Sequence, residues 1–183
     1  MVPVVGKAAK KKIKTPRILV VDDEPTLIDL VGDVVGGQIA CNVISAKNIA
    51  EAKKILASTP IELLVADVNL PDGKGTDLVS SLKEAQPHAN AIVITGQPSM
   101  DGAINAMRHG AVDFLPKPFS AASLVERVGK ALELQALMAK KERRLDKLRD
   151  AVKRLNEARR LASNPDALNL AHRGISNSDT RLL

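Results

Sequence analysis

The sequence predicts an α/β fold in which a parallel five-stranded sheet carries helices on both faces. Two observations lead to this prediction. Short apolar runs, such as Arg17–Val21 and residues 91–95, end abruptly at polar or turn residues, as strands buried on both faces do. Segments with apolar residues at helical spacing separate these runs, and regular alternation of strand and helix is typical of parallel sheets.

Each element has its own signal. The five strands are expected at Arg17–Val21, 39–45, 61–67, 91–95 and 111–115. The five helices are expected to begin at Pro25, Asn48, Thr76, Ser99 and Ser120. Pro25 suits a first helical turn, and the hydroxyls of Thr76 and Ser99 suit N-caps. Glycines are expected to end the first helix at Gly36-Gly37 and the fourth at Gly110.

The composition of the 183 residues excludes several classes of protein. A single cysteine, Cys41, allows neither an internal disulfide nor a multi-cysteine metal site. No apolar run reaches the roughly 20 residues that cross a bilayer. The net charge of +6 is unevenly spread, with +6 over residues 1–17, −6 over 18–120 and +6 over 121–183. We therefore expect a cytoplasmic protein, an acidic globule between basic arms, with no membrane partner and no nucleic-acid partner.

Residues 61–73, IELLVADVNLPDG, carry the strongest functional signal. An apolar run leads into one carboxylate, Asp67, and then into a turn. Open α/β sheets bind their ligands beyond the carboxyl ends of the strands, which is where Asp67 falls. Asp67 is therefore a candidate to accept a phosphoryl group.

Polar residues follow three other predicted strands, and all these strand ends share one edge of a parallel sheet. They are Asp22 and Asp23, Thr95, and Lys117. Three carboxylates in one pocket repel one another, and a divalent cation relieves that conflict. Oxygen ligands without Cys or His favour Mg²⁺. A carboxylate nucleophile, a metal ion, a hydroxyl and a lysine together form a coherent phosphoryl-transfer site.

These residues lie in four motifs that resemble the receiver domain of two-component response regulators. The motifs are VVDDEP at 20–25, ADVNLPDGKG at 66–75, VITG at 93–96 and FLPKPF at 114–119. Their order and spacing match the family, with 44 residues from Asp23 to Asp67, 28 more to Thr95 and 22 more to Lys117. The resemblance covers residues 16–130.

The resemblance implies a flavodoxin-like sheet with strand order 2-1-3-4-5. It implies that a histidine kinase or a phosphotransfer protein phosphorylates Asp67, and that Mg²⁺ is required. Asp23, Asp67 and the backbone carbonyl of Asn69 would ligate the metal, with Asp22 acting largely through water. The protein would not be an enzyme, apart from its own phosphorylation and dephosphorylation at Asp67.

The resemblance also assigns roles around the phosphoryl group. Thr95 would hydrogen-bond one phosphoryl oxygen and Lys117 would pair with another. Phe114 occupies the aromatic switch position, while Asn69 and Gln97 sit where the family tunes phosphoryl lifetime. The Lys117-Pro118 peptide bond is a candidate for the cis isomer.

Beyond residue 130 the sequence predicts a long helix with a heptad repeat. The a positions are Ala131, Met138, Leu145, Val152 and Arg159, and the d positions are Leu134, Lys141, Leu148, Leu155 and Ala162. Lys141 and Arg159 interrupt this seam, and Arg144 at g would meet Arg149 at e in a parallel homodimer. We therefore expect a weak or conditional homodimer, an antiparallel pairing, or docking to another helix.

The predicted organisation is a basic arm over 1–15, a receiver over 16–130, a helical extension over 131–162 and a polar tail over 163–183. No helix-turn-helix, ATPase or cyclase segment is recognised after residue 120. Two other functions remain open at this point. One is an adaptor that binds nucleic acid or a partner through its basic arms. The other is a phosphatase of the haloacid-dehalogenase type, although that class needs an aspartate where Asn69 stands.

Overall fold

The computed structural model describes residues 15–162, with the side chains of 161 and 162 left out. The chain divides into two compact units, Met1–Met138 and Ala139–Leu183. The predicted polar tail, and the predicted basic arm up to residue 14, lie outside the described residues. Within the described part, no helix is apolar enough over a sufficient length to cross a membrane.

The first unit contains the predicted alternation of strands and helices. The strands of its main sheet are β1 (Arg17–Val21), β2 (Asn42–Ala46), β3 (Leu63–Asp67), β4 (Asn90–Thr95) and β5 (Asp113–Pro116). The helices are α1 (Pro25–Gln38), α2 (Ile49–Ser58), α3 (Gly75–Ala85), α4 (Met100–Arg108) and α5 (Ala121–Ala162). All main-sheet pairings are parallel, and the strand order is β2-β1-β3-β4-β5. The predicted fold class and strand order are confirmed.

Two apolar clusters, one on each face of the sheet, form the core. Because alternate strand residues point to opposite faces, Leu19 of β1 joins the cluster that contains Leu56 of α2 and Leu78 of α3. Its neighbour Ile18 joins the other cluster, with Leu124 of α5. All five residues of β3 are buried, which explains why its sequence is a continuous apolar run up to Asp67.

The beginning of α5 packs against the sheet and makes one buried hydrogen bond to it. Leu124 and Val128 are fully buried in the second cluster. The Nδ2 amide of Asn90, the first residue of β4, donates to the carbonyl oxygen of Ala131 at 2.8 Å. The start of the strand that ends at Thr95 is therefore bonded directly to α5.

Several predicted boundaries are corrected by the structure. Strand β2 begins at Asn42 rather than at residue 39, and β5 begins at Asp113 rather than at 111. Helix α1 passes through Gly36 and Gly37 and ends at Gln38. A glycine lowers helix stability but does not end a helix unless the chain turns there, and neither glycine has a positive φ.

Helix α3 begins differently from the prediction. Thr76 is buried inside the helix and is not its N-cap, because α3 begins at Gly75 with Lys74 before it. The chain reaches this start through a two-stranded antiparallel hairpin, Asn69–Leu70 with Gly73–Lys74, which was predicted only as a turn. By contrast, Ser99 caps α4 as predicted, since its Oγ accepts from the amide of Gly102 at 3.0 Å.

Replacing Gly36 by alanine is expected to stabilise the first unit. A Cβ atom at this exposed helical position meets nothing within 4 Å. Alanine loses less backbone entropy than glycine on folding, so the free energy of unfolding should rise by about 0.5–1 kcal/mol. Urea unfolding followed by circular dichroism measures the change. An unchanged or lower midpoint would contradict the helical placement of this glycine.

In the second unit, residues 139–162 belong to α5. Four apolar side chains of this part of α5 are between 38% and 68% exposed, namely Leu145, Leu148, Val152 and Leu155. These are the residues that the heptad frame places in one seam.

Candidate functional site

The carboxyl edge of the sheet brings together the polar residues that the sequence singled out. Asp22 follows β1, Asp67 is the last residue of β3, and Thr95 is the last residue of β4. Lys117 comes directly after β5. Asp22, Asp67 and Thr95 are buried, although each carries a polar side chain. Such burial requires partners for these groups.

The ammonium group of Lys117 joins the two buried carboxylates. Its Nζ donates to Oδ2 of Asp67 at 2.6 Å and to Oδ2 of Asp22 at 2.9 Å. The side chain of Lys117 is 22% exposed, whereas those of Asp22 and Asp67 are 2% and 10% exposed. A positive charge therefore sits at the point where two acidic side chains from different strands converge.

Burial and pairing act in opposite directions on these charges. Burial raises the pKa of the Asp22 carboxyl above its usual value, and hydrogen bonds from the amide of Glu24 and from Lys117 only partly offset this. Burial alone would lower the pKa of Lys117, but its bonds to Asp67 and Asp22 outweigh burial and hold that pKa above its usual value. Lys117 is thus a fixed cation at neutral pH.

The carboxylate of Asp67 also closes the turn that follows it. Its Oδ1 accepts from the amide of Asn69 at 2.7 Å, while Oδ2 faces Lys117. Oδ1 of Asn69 in turn accepts from Nζ of Lys74 at 2.6 Å, across the short hairpin. The backbone amide of Gly75 donates to the carbonyl oxygen of Val68 at 2.9 Å. This bond holds the first residue of α3 next to the residue that follows Asp67. The Asn69 amide and the Lys117 ammonium thus orient the two carboxylate oxygens of Asp67.

Thr95 and Gln97 form a second part of this edge. The hydroxyl oxygen of Thr95 accepts a hydrogen bond from the backbone amide of Gln97 at 3.1 Å. The backbone carbonyl of Thr95 accepts one from the backbone amide of Lys117 at 2.7 Å. Gln97 itself is exposed. Phe114 of β5 is partly buried against the first core cluster, and the Lys117-Pro118 bond is cis.

Asp23 is the predicted site residue that the structure does not bring into these contacts. It is exposed, next to the buried Asp22. Among residues 15–162, no group of three or more His, Cys, Asp or Glu side chains is arranged to hold a metal ion. The donors present nevertheless suit Mg²⁺, since Asp22 and Asp67 offer only oxygen and already converge on one cation, the ammonium of Lys117. Two converging carboxylates with an exposed third beside them are compatible with a site that keeps several waters.

Asp72 is a supporting residue whose contacts the sequence analysis missed. Its two carboxylate oxygens accept from the amides of Ile49 and Ala50, both at 2.9 Å. These are first-turn amides of α2, which have no partner inside the helix. The sequence LPDG indicates only a turn, because a contact 22 residues back along the chain leaves no local signal. Asp72 joins the loop after Asp67 to α2.

Replacing Asp72 by alanine is expected to lower the thermal unfolding midpoint at neutral pH, because two helix amides lose their acceptor. The hydrogen bond from Ile49 is the largest cause that lowers the pKa of Asp72 below its usual value of 3.8. Its stabilising effect is therefore present above that value and fades as the pH falls through the lowered pKa. Calorimetry of wild type and variant from neutral to acid pH should show two midpoints that converge. Asp101→Ala, in the first turn of α4, is the matched control. A difference between wild type and the Asp72 variant that is independent of pH would contradict this role.

A doubly wound five-stranded parallel sheet, with two acidic side chains and a lysine converging at its carboxyl edge, defines an α/β domain of the class that places its ligand site at this edge. The model of the response regulator receiver domain family matches residues 18–129, so the chain belongs to that family. Receiver domains in general bind Mg²⁺ and take their phosphoryl group from a kinase partner.

Individual relatives agree with this assignment. The chain is 40% identical over 119 residues to the response regulator protein PilR of Pseudomonas aeruginosa, an alignment that covers 65% of this chain and 26% of PilR. It is 32% identical over 133 residues to the DNA-binding transcriptional regulator NtrC of Rhizobium meliloti, covering 73% of this chain and 26% of NtrC. The chain thus spans about a quarter of the length of these curated relatives.

Solved structures match about two thirds of the chain. A response regulator from Thermotoga maritima superposes with a TM-score of 0.60 at 32% identity, covering 65% of this chain and 98% of that one. The beryllofluoride-activated NtrC4 receiver domain dimer superposes with a TM-score of 0.62 at 34% identity, with the same coverage of 65% and 98%. The chain is therefore a two-component response regulator receiver with a helical extension.

Proposed function

We propose that Asp67 is the phosphoacceptor of this receiver and that Asp22, Asp23, Asp67 and the backbone carbonyl of Asn69 hold Mg²⁺ beside it. The observation that carries the proposal is the position of Lys117, whose ammonium group joins Asp67 to Asp22 at the carboxyl edge. A carboxylate held at a strand end by a fixed cation is oriented for attack on an electrophile at that edge. The phosphodonor is a histidine kinase or a phosphotransfer protein. Because histidine kinases take their phosphoryl group from cytoplasmic ATP, we propose that the chain acts in the cytoplasm.

The chain's own residues account for most of the chemistry. An oxygen of Asp67 attacks phosphorus, a new phosphorus–oxygen bond forms, and the bond from phosphorus to the donor nitrogen breaks with its electron pair left on that nitrogen. Lys117, which now bonds Asp67, pairs with a phosphoryl oxygen, and the Thr95 hydroxyl donates to another. The Mg²⁺ ion, when bound, neutralises the charge that builds up on the phosphoryl oxygens.

The same geometry supports a switch. The Thr95 hydroxyl oxygen now accepts from the Gln97 amide, so a new bond to a phosphoryl oxygen would pull on the loop that contains Gln97. Phe114, only partly buried beside this edge, turns inward as Thr95 moves. Asn69 and Gln97 flank the phosphoryl group and set its lifetime. The output is a change in the contacts made by the receiver surface and by the helix over 131–162.

We further propose that the protein turns over no external substrate. Asn69 stands two residues after Asp67, where an aspartyl-phosphate phosphatase needs a second carboxyl group as acid and base. Its amide oxygen is already occupied by Lys74. An amide gives up and takes no protons at neutral pH, so Asp67 has no neighbouring acid at this position.

A phosphoryl mimic tests this proposal without covalent chemistry. Mg²⁺ with beryllofluoride should raise the thermal midpoint of the wild type by several degrees, since a ligand at 100 times its Kd stabilises a fold by about 2.7 kcal/mol. Asp67→Asn should lose this stabilisation, whereas Asp77→Asn, an exposed aspartate in the first turn of α3, should keep it. Equal stabilisation of both variants would contradict the assignment of Asp67.

A further inference from the structure

Among the described residues of the second unit, the helix carries an apolar face that remains partly exposed. Leu145, Leu148, Val152 and Leu155 are 38%, 62%, 55% and 68% exposed. They recur with the a and d spacing of a heptad, so they form one stripe along the helix. A single exposed helix gains little from such a stripe, because helix stability in water comes mainly from burying the apolar face.

Charges beside the stripe disfavour a parallel homodimer. In a parallel pair, the g residue of one helix faces the e residue of the next heptad in the other helix. That places Arg144 against the partner's Arg149, and by symmetry this occurs twice. Like charges at such positions destabilise the pairing.

We propose that residues 139–154 pair with the same residues of a second copy in an antiparallel coiled coil, in the register that sets Leu145 opposite the partner's Leu148. In this register Val152 lies opposite the partner's Lys141. The methylene stem of that lysine covers the valine, while its ammonium reaches water. The two apolar layers at the centre of the segment are leucine on leucine.

The flanking charges favour this arrangement. In an antiparallel pair, e residues face e residues and g residues face g residues. Glu142 then faces the partner's Arg149 twice, while Arg144 at g faces the partner's Ala151. Within one chain, Nη1 of Arg149 already lies 3.5 Å from Oε1 of Glu142, so both side chains extend along the same flank of the helix. Each glutamate on that flank is therefore paired with an arginine of the other helix.

Neighbouring registers lose this complementarity. Sliding one helix by a heptad in one direction sets Glu142 opposite the partner's Glu142. Sliding it in the other direction sets Arg149 opposite the partner's Arg149. The charge pattern therefore favours one of these three antiparallel registers.

This inference deepens the proposed signalling function, because it names what the helical extension binds, namely a second copy of the chain. The residues that make this pairing belong to the helix and do not require a phosphoryl group on Asp67. The same self-association is therefore expected in an Asp67→Ala background, and its failure would leave phosphoryl acceptance by Asp67 untouched.

Sedimentation equilibrium of the full chain at micromolar concentration tests the pairing through Arg149→Glu. In the antiparallel register this change turns two opposite-charge pairs into Glu–Glu pairs, and we expect the dimer to weaken by roughly tenfold. In a parallel dimer the same change would replace an Arg–Arg contact by an Arg–Glu pair and tighten it. The double variant Glu142→Arg/Arg149→Glu should restore the wild-type affinity, and Arg143→Glu, at the outward f position, should leave it unchanged. A tighter dimer with Arg149→Glu, or a wild type that stays monomeric, overturns the proposal.

Cysteine cross-linking reads the orientation directly. In a Cys41→Ser background, which removes the only native cysteine, Lys141→Cys and Val152→Cys are prepared as separate variants. Mixing them under mild oxidation should give a disulfide-linked heterodimer, while each variant alone should stay largely uncross-linked. Homodimers from each single variant, with no preference for the mixture, would show a parallel pair and overturn the proposal.

Discussion

Replacing Gly75 by alanine is expected to disrupt the proposed phosphoacceptor site itself. A Cβ atom at this position would overlap the backbone carbonyl of Asp67, which is not a flexible side-chain end that could move away. The strand end or the start of α3 must therefore shift. We expect the free energy of unfolding to fall by about 1–3 kcal/mol, as for overpacked cores, and phosphoryl uptake to be lost.

Gly96→Ala is the matched control for this variant. Gly96 follows Thr95 at the same edge of the sheet, yet a Cβ there meets nothing within 4 Å. It should keep both stability and phosphoryl uptake. If Gly75→Ala behaved like Gly96→Ala in chemical unfolding and in phosphorylation assays, the close approach of α3 to Asp67 would be wrong.

The second large effect is expected from Lys117→Met, which keeps the stem of the side chain and removes its charge. Asp22 and Asp67 would then face each other while buried, without their shared cation. Breaking a buried ion pair from one side leaves an uncompensated charge, so the free energy of unfolding without Mg²⁺ should fall by about 3 kcal/mol. Adding Mg²⁺ should restore more stability to the variant than it gives the wild type, because the ion no longer competes with the ammonium.

Unfolding in EDTA and in Mg²⁺ measures this difference. Lys74→Met is the matched control, because within residues 15–162 the Lys74 ammonium bonds the exposed Asn69, and its loss should cost less than about 1 kcal/mol. A Lys117 variant as stable as the wild type in EDTA would contradict a role for this lysine in holding the two carboxylates together. A variant that ignores Mg²⁺ would argue against a metal site at Asp22 and Asp67.

Much of the fold could be predicted because its signals are local. A strand buried on both faces must be apolar throughout, so the run up to Asp67 marked β3. Helix α4 could be started correctly from Ser99, since an N-cap acts within three residues. The site was predictable for a topological reason, because parallel strands end at one edge and their terminal polar residues must meet there.

Other features depend on contacts between distant residues and left no local signal. Lys117 bonds Asp22 across 95 residues of sequence and Asp67 across 50, so its place between the two carboxylates required the fold. Thr76 resembled an N-cap, but the hairpin before it delivers the chain to Gly75 and leaves the threonine buried. Met100, Ile104 and Met107 recur at helical spacing in α4, yet all three are exposed, and the residue that this helix buries is the small Ala106.

The measurement that tests the central claim most directly is mapping of phosphoryl attachment on the intact protein. The full chain is incubated with acetyl phosphate, with and without Mg²⁺, and the intact mass is followed by peptide mapping after borohydride reduction of the acyl phosphate. We predict one phosphoryl group per chain, dependent on Mg²⁺ and located on Asp67, with none on Asp67→Asn. No phosphoryl group on the wild type, or equal labelling of the Asp67 variant, would contradict the account.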